Sequence, residues 1–170
     1  MITPRRRWRA LLGGAALAWV LPGAAAGQTT AAASQLLHVA PIAFLPANNA
    51  AGYVVEQGGL GRLCSHKGAG YFVAPLQLPD GAVIERVAML LVDTNRDALG
   101  LMSLVRREPE RFEVLAISPV SAGTTELETL ASADISAPVI DNERYTYLLQ
   151  VLLTGPGVCL YDAQVTYRSR

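Results

Sequence analysis

Histidine and cysteine, two side chains that often bind metals or act in catalysis, are scarce in this sequence. It contains only two histidines, His38 and His66, and two cysteines, Cys64 and Cys159. Cys64 and His66 are two residues apart, but no other cysteine or histidine stands near them to complete a tetrahedral set of zinc ligands. A zinc centre is therefore not expected.

The motifs of common hydrolases and nucleotide-binding enzymes are also missing. There is no G-x-S-x-G nucleophile elbow, and Ser65 and His66, as neighbours, would point to opposite faces of a strand. The glycine-rich residues 58–61 lack the Lys-Ser/Thr of a phosphate-binding loop, so we interpret them as a turn. Glu126 and Glu128 could share a strand face like glycosidase carboxylates, but scattered surface acids are commoner. We therefore predict no catalytic residues, no cofactor and no enzymatic activity.

The only strongly basic segment is at the start of the sequence, before a short apolar stretch and a run of small residues. It has arginine at positions 5, 6, 7 and 9. This order is typical of a secretory signal peptide, which we predict over residues 1–26, with cleavage after Ala26 or Gly27. The alternative is a retained membrane anchor, although the apolar stretch is shorter than the roughly 20 residues of a spanning helix. Arg5-Arg6 also raises the twin-arginine export route. We expect a bacterial periplasmic or extracellular (secreted) protein.

Without its first 26 residues the chain is mildly acidic. The sequence has 14 basic and 14 acidic residues, and the predicted signal contains four of the former and none of the latter. The remaining 10 basic and 14 acidic residues give a formal net charge of −4. Such a charge gives no electrostatic reason to bind nucleic acid or anionic lipid. No later stretch is long and apolar enough to span a membrane.

Short apolar runs between Gly, Pro, Asp and Asn predict an all-β protein. We count roughly eight strands at roughly 8–12-residue spacing, which is typical of a sandwich or barrel. Two runs alternate, residues 145–153 and residues 159–167, and in the second Cys159 shares a face with the apolar residues. We predict a single antiparallel β-sandwich domain over residues 51–170, of jelly-roll-like type.

Two segments suggest contacts between subunits. Residues 27–50 are predicted to be an extended N-terminal arm, in which Leu36–Leu45 contains Pro41 and suits an edge strand or an arm lying on the core. Residues 87–92 are apolar at every position, as in a strand covered on both faces or at a subunit contact. A homo-oligomer or a cell-envelope protein partner is therefore a hypothesis.

The two cysteines predict one disulfide, because an exported protein folds in an oxidising compartment. Pairing of Cys64 with Cys159 would close a loop of about 95 residues. It would tie the last strand of the sandwich to an early one. The alternative is a pair of free, buried thiols.

One loop has the spacing of a calcium site. Asp93, Asn95 and Asp97 follow a D-x-N-x-D pattern, in which alternate oxygens can face one hard cation. However, Ala98 stands in place of the glycine of an EF-hand, and Leu104 in place of its bidentate glutamate. The alternative is a polar hairpin tip, where Asp and Asn favour turns.

Aromatic residues are the other candidates for a binding surface. On a sheet, exposed tyrosines can stack on sugar rings or contact a protein, whereas buried ones only pack in the core. The sequence alone leaves both roles open for the whole set, which is Tyr53, Tyr71, Phe72, Tyr145, Tyr147, Tyr161 and Tyr167.

Two motifs resemble those of a group of uncharacterised secreted bacterial proteins. Residues 74–84 contain an "AP-x-x-LP-x-GA" pattern, and residues 140–147 contain "DN-x-x-Y-x-Y". In that group an aspartate-rich hairpin tip lies between the two. The resemblance covers about residues 70–168, and it implies a jelly-roll-like β-sandwich but no activity.

These observations favour an exported, non-enzymatic β-sandwich protein that acts by binding or assembly. The alternative is a carbohydrate-binding module that holds a glycan through surface tyrosines. The two hypotheses differ in whether a concave aromatic surface exists.

Overall fold

Eleven β-strands and one 3₁₀ turn form the regular structure of residues 33–56 and 61–169, which are the residues that the computed structural model describes. The predicted signal peptide lies wholly outside these residues, and the predicted turn at residues 58–61 lies outside them except for Gly61. No helix in these two ranges is long and apolar enough to cross a membrane. The 3₁₀ turn is Pro41–Ala43, and the strands are β1 Ser34–Val39, β2 Leu45–Pro46, β3 Gly52–Glu56, β4 Arg62–Lys67, β5 Gly70–Leu76, β6 Val83–Asp93, β7 Gly100–Arg107, β8 Phe112–Ile117, β9 Leu127–Ser132, β10 Thr146–Leu153 and β11 Val158–Arg168.

The strands form two sheets, and every named pair of strands is antiparallel. The six-stranded sheet has the order β3-β4-β11-β6-β9, with β1 also paired to β11, and the five-stranded sheet has the order β2-β5-β10-β7-β8. Alternate side chains of both sheets enter one shared core. The fold is therefore a single antiparallel β-sandwich of jelly-roll type, as the turn spacing predicted.

Residues 34–46, which the sequence placed in an arm, belong to both sheets of the sandwich. β1 pairs with the last strand, β11, and β2 pairs with β5. Between them, Phe44 is buried in the core. Pro41 begins the 3₁₀ turn and Pro46 ends a two-residue edge strand, positions that tolerate proline. The described sandwich thus begins at residue 34 and not at residue 51.

The apolar residues 87–92 form the central part of β6, between β11 and β9. Val87, Met89 and Leu91 point into the core, and Ala88 is buried on the opposite face, where Leu90 is half-buried. On the outer face, the small Ala88 lies between its neighbours Gln164 of β11 and Ala131 of β9, so it is buried without a covering layer. A subunit contact at this strand stays a prediction.

The alternation predicted for the last strand is wrong in its first half, because β11 contains a β-bulge. The register with β6 shifts between Leu160 and Asp162. Before the bulge Leu160 lies in the core, and after it Ala163 and Val165 do. The extra residue exchanges the two faces of the strand. Cys159 therefore points away from the core and not into it.

Cys64 and Cys159 form a disulfide, with their sulfur atoms 2.15 Å apart. The two residues are direct partners in the pairing of β4 with β11. Their neighbours Leu63 and Leu160 are fully buried in the core, so the bridge lies on the outer face of the six-stranded sheet. The predicted bridge between the last strand and an early one is confirmed.

Replacing Tyr147 by phenylalanine tests a buried hydrogen bond at one end of the sandwich. The Tyr147 hydroxyl accepts the backbone N–H of Asp141 at 3.0 Å, and the residue is almost fully buried. We expect Tyr147→Phe to lower the free energy of unfolding by about 1–2 kcal/mol, because the Asp141 N–H loses its partner. Urea denaturation measures the change. Tyr167→Phe, which removes the surface bond to Gln35, is the matched control and should change stability by less than about 0.5 kcal/mol.

Candidate functional site

An open groove crosses the outer face of the five-stranded sheet. Its volume is about 750 Å³, which is within the range of sites that bind small molecules. Outward side chains of β5, β10 and β7 form its floor, and the loop between β7 and β8 forms one wall. The groove therefore lies on the outer face of the same strands whose inner faces form the core.

Two exposed aromatic rings line the groove, Tyr71 and Phe112. Tyr71 lies on β5 and is 45% exposed, and Phe112 begins β8 and is 74% exposed. An exposed ring can stack on the flat apolar face of a ring-shaped ligand. The sequence analysis named Tyr71 but missed Phe112, whose only signal was its place between charged residues at the start of a strand.

The strand register separates the two rings along the groove. Tyr71 pairs with Leu152 of β10, whereas Phe112 pairs with Arg107, which pairs with Thr146 of β10. Six residues of β10 correspond to roughly 20 Å, and three strand spacings to roughly 14 Å. The rings therefore lie at diagonally opposite ends of the groove, and only an extended, multi-unit ligand can reach both.

The floor between the rings is mostly apolar, with one amide. Gln150 lies on the central strand β10, beside Val73 on one side and Ser103 on the other. Leu148, two residues earlier, lies beside Val105 and completes the apolar part of the floor. The Gln150 amide offers both donors and an acceptor to a ligand.

Charged residues gather at the Phe112 end, and ion pairs neutralise part of them. Arg106 pairs with Glu113 at 2.7 Å, and its guanidinium lies 4.3 Å from the centre of the Tyr145 ring. Burial lowers the pKa of Arg106, but the hydrogen bond and charge of Glu113 outweigh it, so the net pKa is raised. The guanidinium of Arg144 also packs against the Tyr145 ring, and Arg144 pairs with Glu108 at 3.5 Å. This ion-paired cluster lies beside the groove, and none of its residues is part of the groove lining.

The other aromatic residues of the predicted set lie elsewhere. Phe72 and Tyr147 are core residues, so for these two the packing role is confirmed. Tyr53 packs edge-on against Phe72 at 5.4 Å. Tyr161 accepts a hydrogen bond from Arg62, whose pKa is raised by its bonds to Glu56 and Tyr161. Of the tyrosines, only Tyr71 lines the groove.

The candidate calcium loop follows β6, and internal hydrogen bonds hold it. Asp93 is fully buried, and its carboxylate accepts the hydroxyl of Ser121 and the N–H of Asn95. The Asn95 side chain in turn accepts the N–H of Asp97 and donates to the Pro156 carbonyl. These oxygens shape a turn, and no group of three or more acidic, histidine or cysteine side chains suited to a metal occurs within residues 33–56 and 61–169. Calcium binding here stays a prediction.

The structure does not bring together the other polar residues weighed for catalysis. Ser65 is buried and donates to the Gly68 carbonyl at 3.0 Å, while its neighbour His66 is exposed. Glu126 precedes β9, and Glu128 lies within it opposite the core residue Leu91. Glu126 lies outside the strand, so the alternation of β9 does not by itself place the two carboxylates side by side.

His38 is the one histidine with a charged partner among the described residues. Its Nδ1 lies 2.7 Å from an oxygen of Asp162, which also accepts a hydrogen bond from Gln164 at 3.0 Å. The three residues lie on β1 and β11, in the other sheet from the groove. They join the first and last strands and take no part in the candidate site.

Carbohydrate-binding modules are similar to this chain in fold. The C-terminal CBM6 of LamC, a marine laminarinase from Zobellia galactanivorans, matches with a TM-score of 0.53 and 12% identity, over 78% of this chain and 99% of its own. The CBM36-1 domain of a multidomain xylanase from the hindgut metagenome of Trinervitermes trinervoides matches with a TM-score of 0.50 and 8% identity, over 80% and 99%. At such identities the likeness concerns the fold alone.

A third similar structure holds a ligand. The CBM22-1-GH10 modules of Clostridium thermocellum xylanase 10B, solved in complex with xylohexaose, match with a TM-score of 0.50 and 12% identity, over 78% of this chain and 27% of that one. No protein-family model and no curated protein matches the sequence.

Proposed function

We propose that this protein is a carbohydrate-binding module, which holds a glycan chain in the groove of the five-stranded sheet. The observation that carries the proposal is the pair of exposed rings, Tyr71 and Phe112, at opposite ends of one groove. Stacking on these rings would hold the two ends of the glycan, and the Gln150 amide would bind hydroxyl groups between them. The protein would bind its ligand without changing it.

The similarity in fold to carbohydrate-binding modules supports this proposal over a purely structural role. Those modules are parts of a laminarinase and of xylanases by description. A groove that spans three strands suits a chain better than a single sugar, because its two rings are far apart. The alternative of assembly with a second copy or with an envelope protein would use the same exposed apolar area.

We also propose that the protein is exported and acts in the periplasm or outside the cell. The disulfide between Cys64 and Cys159 supports an oxidising compartment. The predicted signal peptide supports the same location from the sequence. Detection of the processed chain in a periplasmic or culture fraction, with an N-terminus at residue 27 or 28, would test it.

Removing either ring from the groove is expected to weaken binding of long oligosaccharides. We expect Tyr71→Ala and Phe112→Ala each to cost about 1–2 kcal/mol, a roughly 5–30-fold rise in Kd, because each loses one stacked sugar. The measurement is isothermal titration calorimetry with a ligand first identified on a glycan array. Affinity should also rise with chain length until the ligand reaches both rings.

Leu127→Ala is the matched control, because Leu127 is a similarly exposed apolar residue on β9 of the other sheet. It should leave binding unchanged. If no glycan binds, and light scattering instead finds a dimer that Phe112→Ala dissociates, the groove is an assembly surface and the proposal fails.

A further inference from the structure

The wall of the groove contains two arginines that pair with no carboxylate of the described residues. Arg107 ends β7, and Arg111 immediately precedes β8, and both line the groove. Unlike Arg106 and Arg144, they form no ion pair with any residue in the described ranges. Both are exposed, so their guanidinium groups are accessible to a ligand.

The hairpin between β7 and β8 fixes the backbone of both arginines. The N–H of Glu108 donates to the Arg111 carbonyl at 2.8 Å, and the N–H of Arg111 donates to the Glu108 carbonyl at 3.4 Å. Arg107 itself pairs with Phe112 across the hairpin. Because the strands already hold these positions, little backbone freedom would be lost when a ligand binds.

The local charge of the groove differs from that of the chain. Among the described residues, its lining contains Arg107 and Arg111 but only one acidic residue, Glu110. The chain beyond its first 26 residues, by contrast, has a formal net charge of −4. A polyanion therefore gains nothing from the protein as a whole and gains attraction only at this end of the groove.

We propose that the groove selects acidic polysaccharides, whose uronate carboxylates bind Arg107 and Arg111 while sugar faces stack on Tyr71 and Phe112. This inference rests on the proposed function and adds the class of ligand to it. A guanidinium group binds a carboxylate through two parallel hydrogen bonds, which gives it both strength and orientation. A polyuronate repeats such carboxylates along one chain, so adjacent units can meet both arginines.

The experiment compares each uronate polymer with its own carboxyl-reduced form. Polygalacturonate and alginate, and the neutral polymers made from them by reduction, are titrated against the protein by calorimetry. We expect at least one uronate polymer to bind about 10-fold or more tightly than its reduced form. Arg107→Gln/Arg111→Gln should weaken that binding about 10–100-fold and weaken binding of the reduced form by less than about 3-fold.

Two further variants serve as controls for charge and for folding. Arg144→Gln removes an arginine of the same end that is paired with Glu108 and does not line the groove, so it should not affect uronate binding. Glu110→Gln should strengthen it about 2–5-fold, because it removes the one acidic group of the lining. Circular dichroism melting curves check that every variant is folded.

The outcomes separate this inference from the proposed function. Equal affinity for the acidic and reduced polymers, with no effect of the double arginine variant, overturns the acidic class but leaves glycan binding intact. If the wild-type protein binds none of the four polymers and no glycan on an array, both the acidic class and the proposed function are overturned. Uronate binding that persists in the double variant places the carboxylates elsewhere and also overturns the inference.

Discussion

Replacing Cys64 and Cys159 together by alanine is expected to lower the free energy of unfolding by about 4–5 kcal/mol. The two residues are 95 positions apart in sequence, so their bridge closes most of the described chain into one loop. In the chain-entropy treatment, a loop of this length lowers the entropy of the unfolded state, which raises the free energy of unfolding by about 4–5 kcal/mol. Because a domain of this size has a total stability of roughly 5–15 kcal/mol, the loss is large.

Guanidinium denaturation of the double variant and of the oxidised wild-type protein gives the difference directly. The double variant is preferable to either single one, since it leaves no free thiol that could form intermolecular bridges. Wild-type protein kept reduced during unfolding and refolding should match the variant. A difference below about 1 kcal/mol would contradict the expectation. Peptide maps with and without reductant should show the Cys64–Cys159 pair only in the oxidised protein.

Asp93→Ala is expected to lower the free energy of unfolding by about 3 kcal/mol, although the residue lies in a loop-forming region at the end of β6. The carboxylate is fully buried and accepts hydrogen bonds from the hydroxyl of Ser121 and the N–H of Asn95. Each hydrogen bond to a charged group is worth roughly 1.5–3 kcal/mol, and its loss leaves a donor unsatisfied. The alanine side chain has no hydrogen-bond acceptor and cannot replace these hydrogen bonds.

The effect of Asp93→Ala should extend into the five-stranded sheet through Ser121. The Ser121 hydroxyl also accepts the N–H of Gly100 at 2.7 Å, and the backbone N–H of Ser121 donates to the Gly100 carbonyl at 3.0 Å. The carboxylate thus orients a serine that secures the start of β7. Hydrogen exchange should show faster exchange of the Gly100 amide in the variant, together with the lower stability.

Asp97→Ala is the matched control for this prediction, because Asp97 is an exposed acid of the same loop. It should change stability by less than about 0.5 kcal/mol. If the two variants have equal stability, the buried carboxylate is not the group that holds the loop. Calcium added to the wild-type protein and to Asp93→Ala tests the remaining prediction at this site, since only a bound ion would raise the melting temperature of the former alone.

The fold followed from the sequence where one face of a strand is buried and the other is not. In β10, Tyr147, Leu149, Val151 and Leu153 alternate with residues on the outer face, and all four are in the core as predicted. The bulge in β11 could not be predicted, because inserting one residue changes the face of a strand without breaking its run of β-forming residues. The first two strands were assigned to an arm because Pro41 and Pro46, which lie after β1 and in β2, obscured the short strands beside them.

The candidate site was only partly predictable. Tyr71 was one of seven aromatic residues that the sequence ranked equally, and nothing in the local sequence distinguishes the exposed Tyr71 from the buried Tyr147 on the adjacent strand. Phe112 and Arg107 meet on the groove through the pairing of β7 with β8, which is a tertiary property. The spacing that favours calcium at residues 93–97 also suits side chains that accept hydrogen bonds from backbone N–H groups two residues further on, so the spacing alone does not separate the two uses.

The pairing of the first described strand with the last one determines how this domain can be attached to a surface. Ser34 lies beside Arg168 in the six-stranded sheet, whereas the groove lies on the outer face of the five-stranded sheet. A tether attached near either residue would leave from the same end of the six-stranded sheet. The protein can therefore be anchored to a bead, a sensor chip or a fused enzyme through either attachment point, with its groove still open to a large polymer.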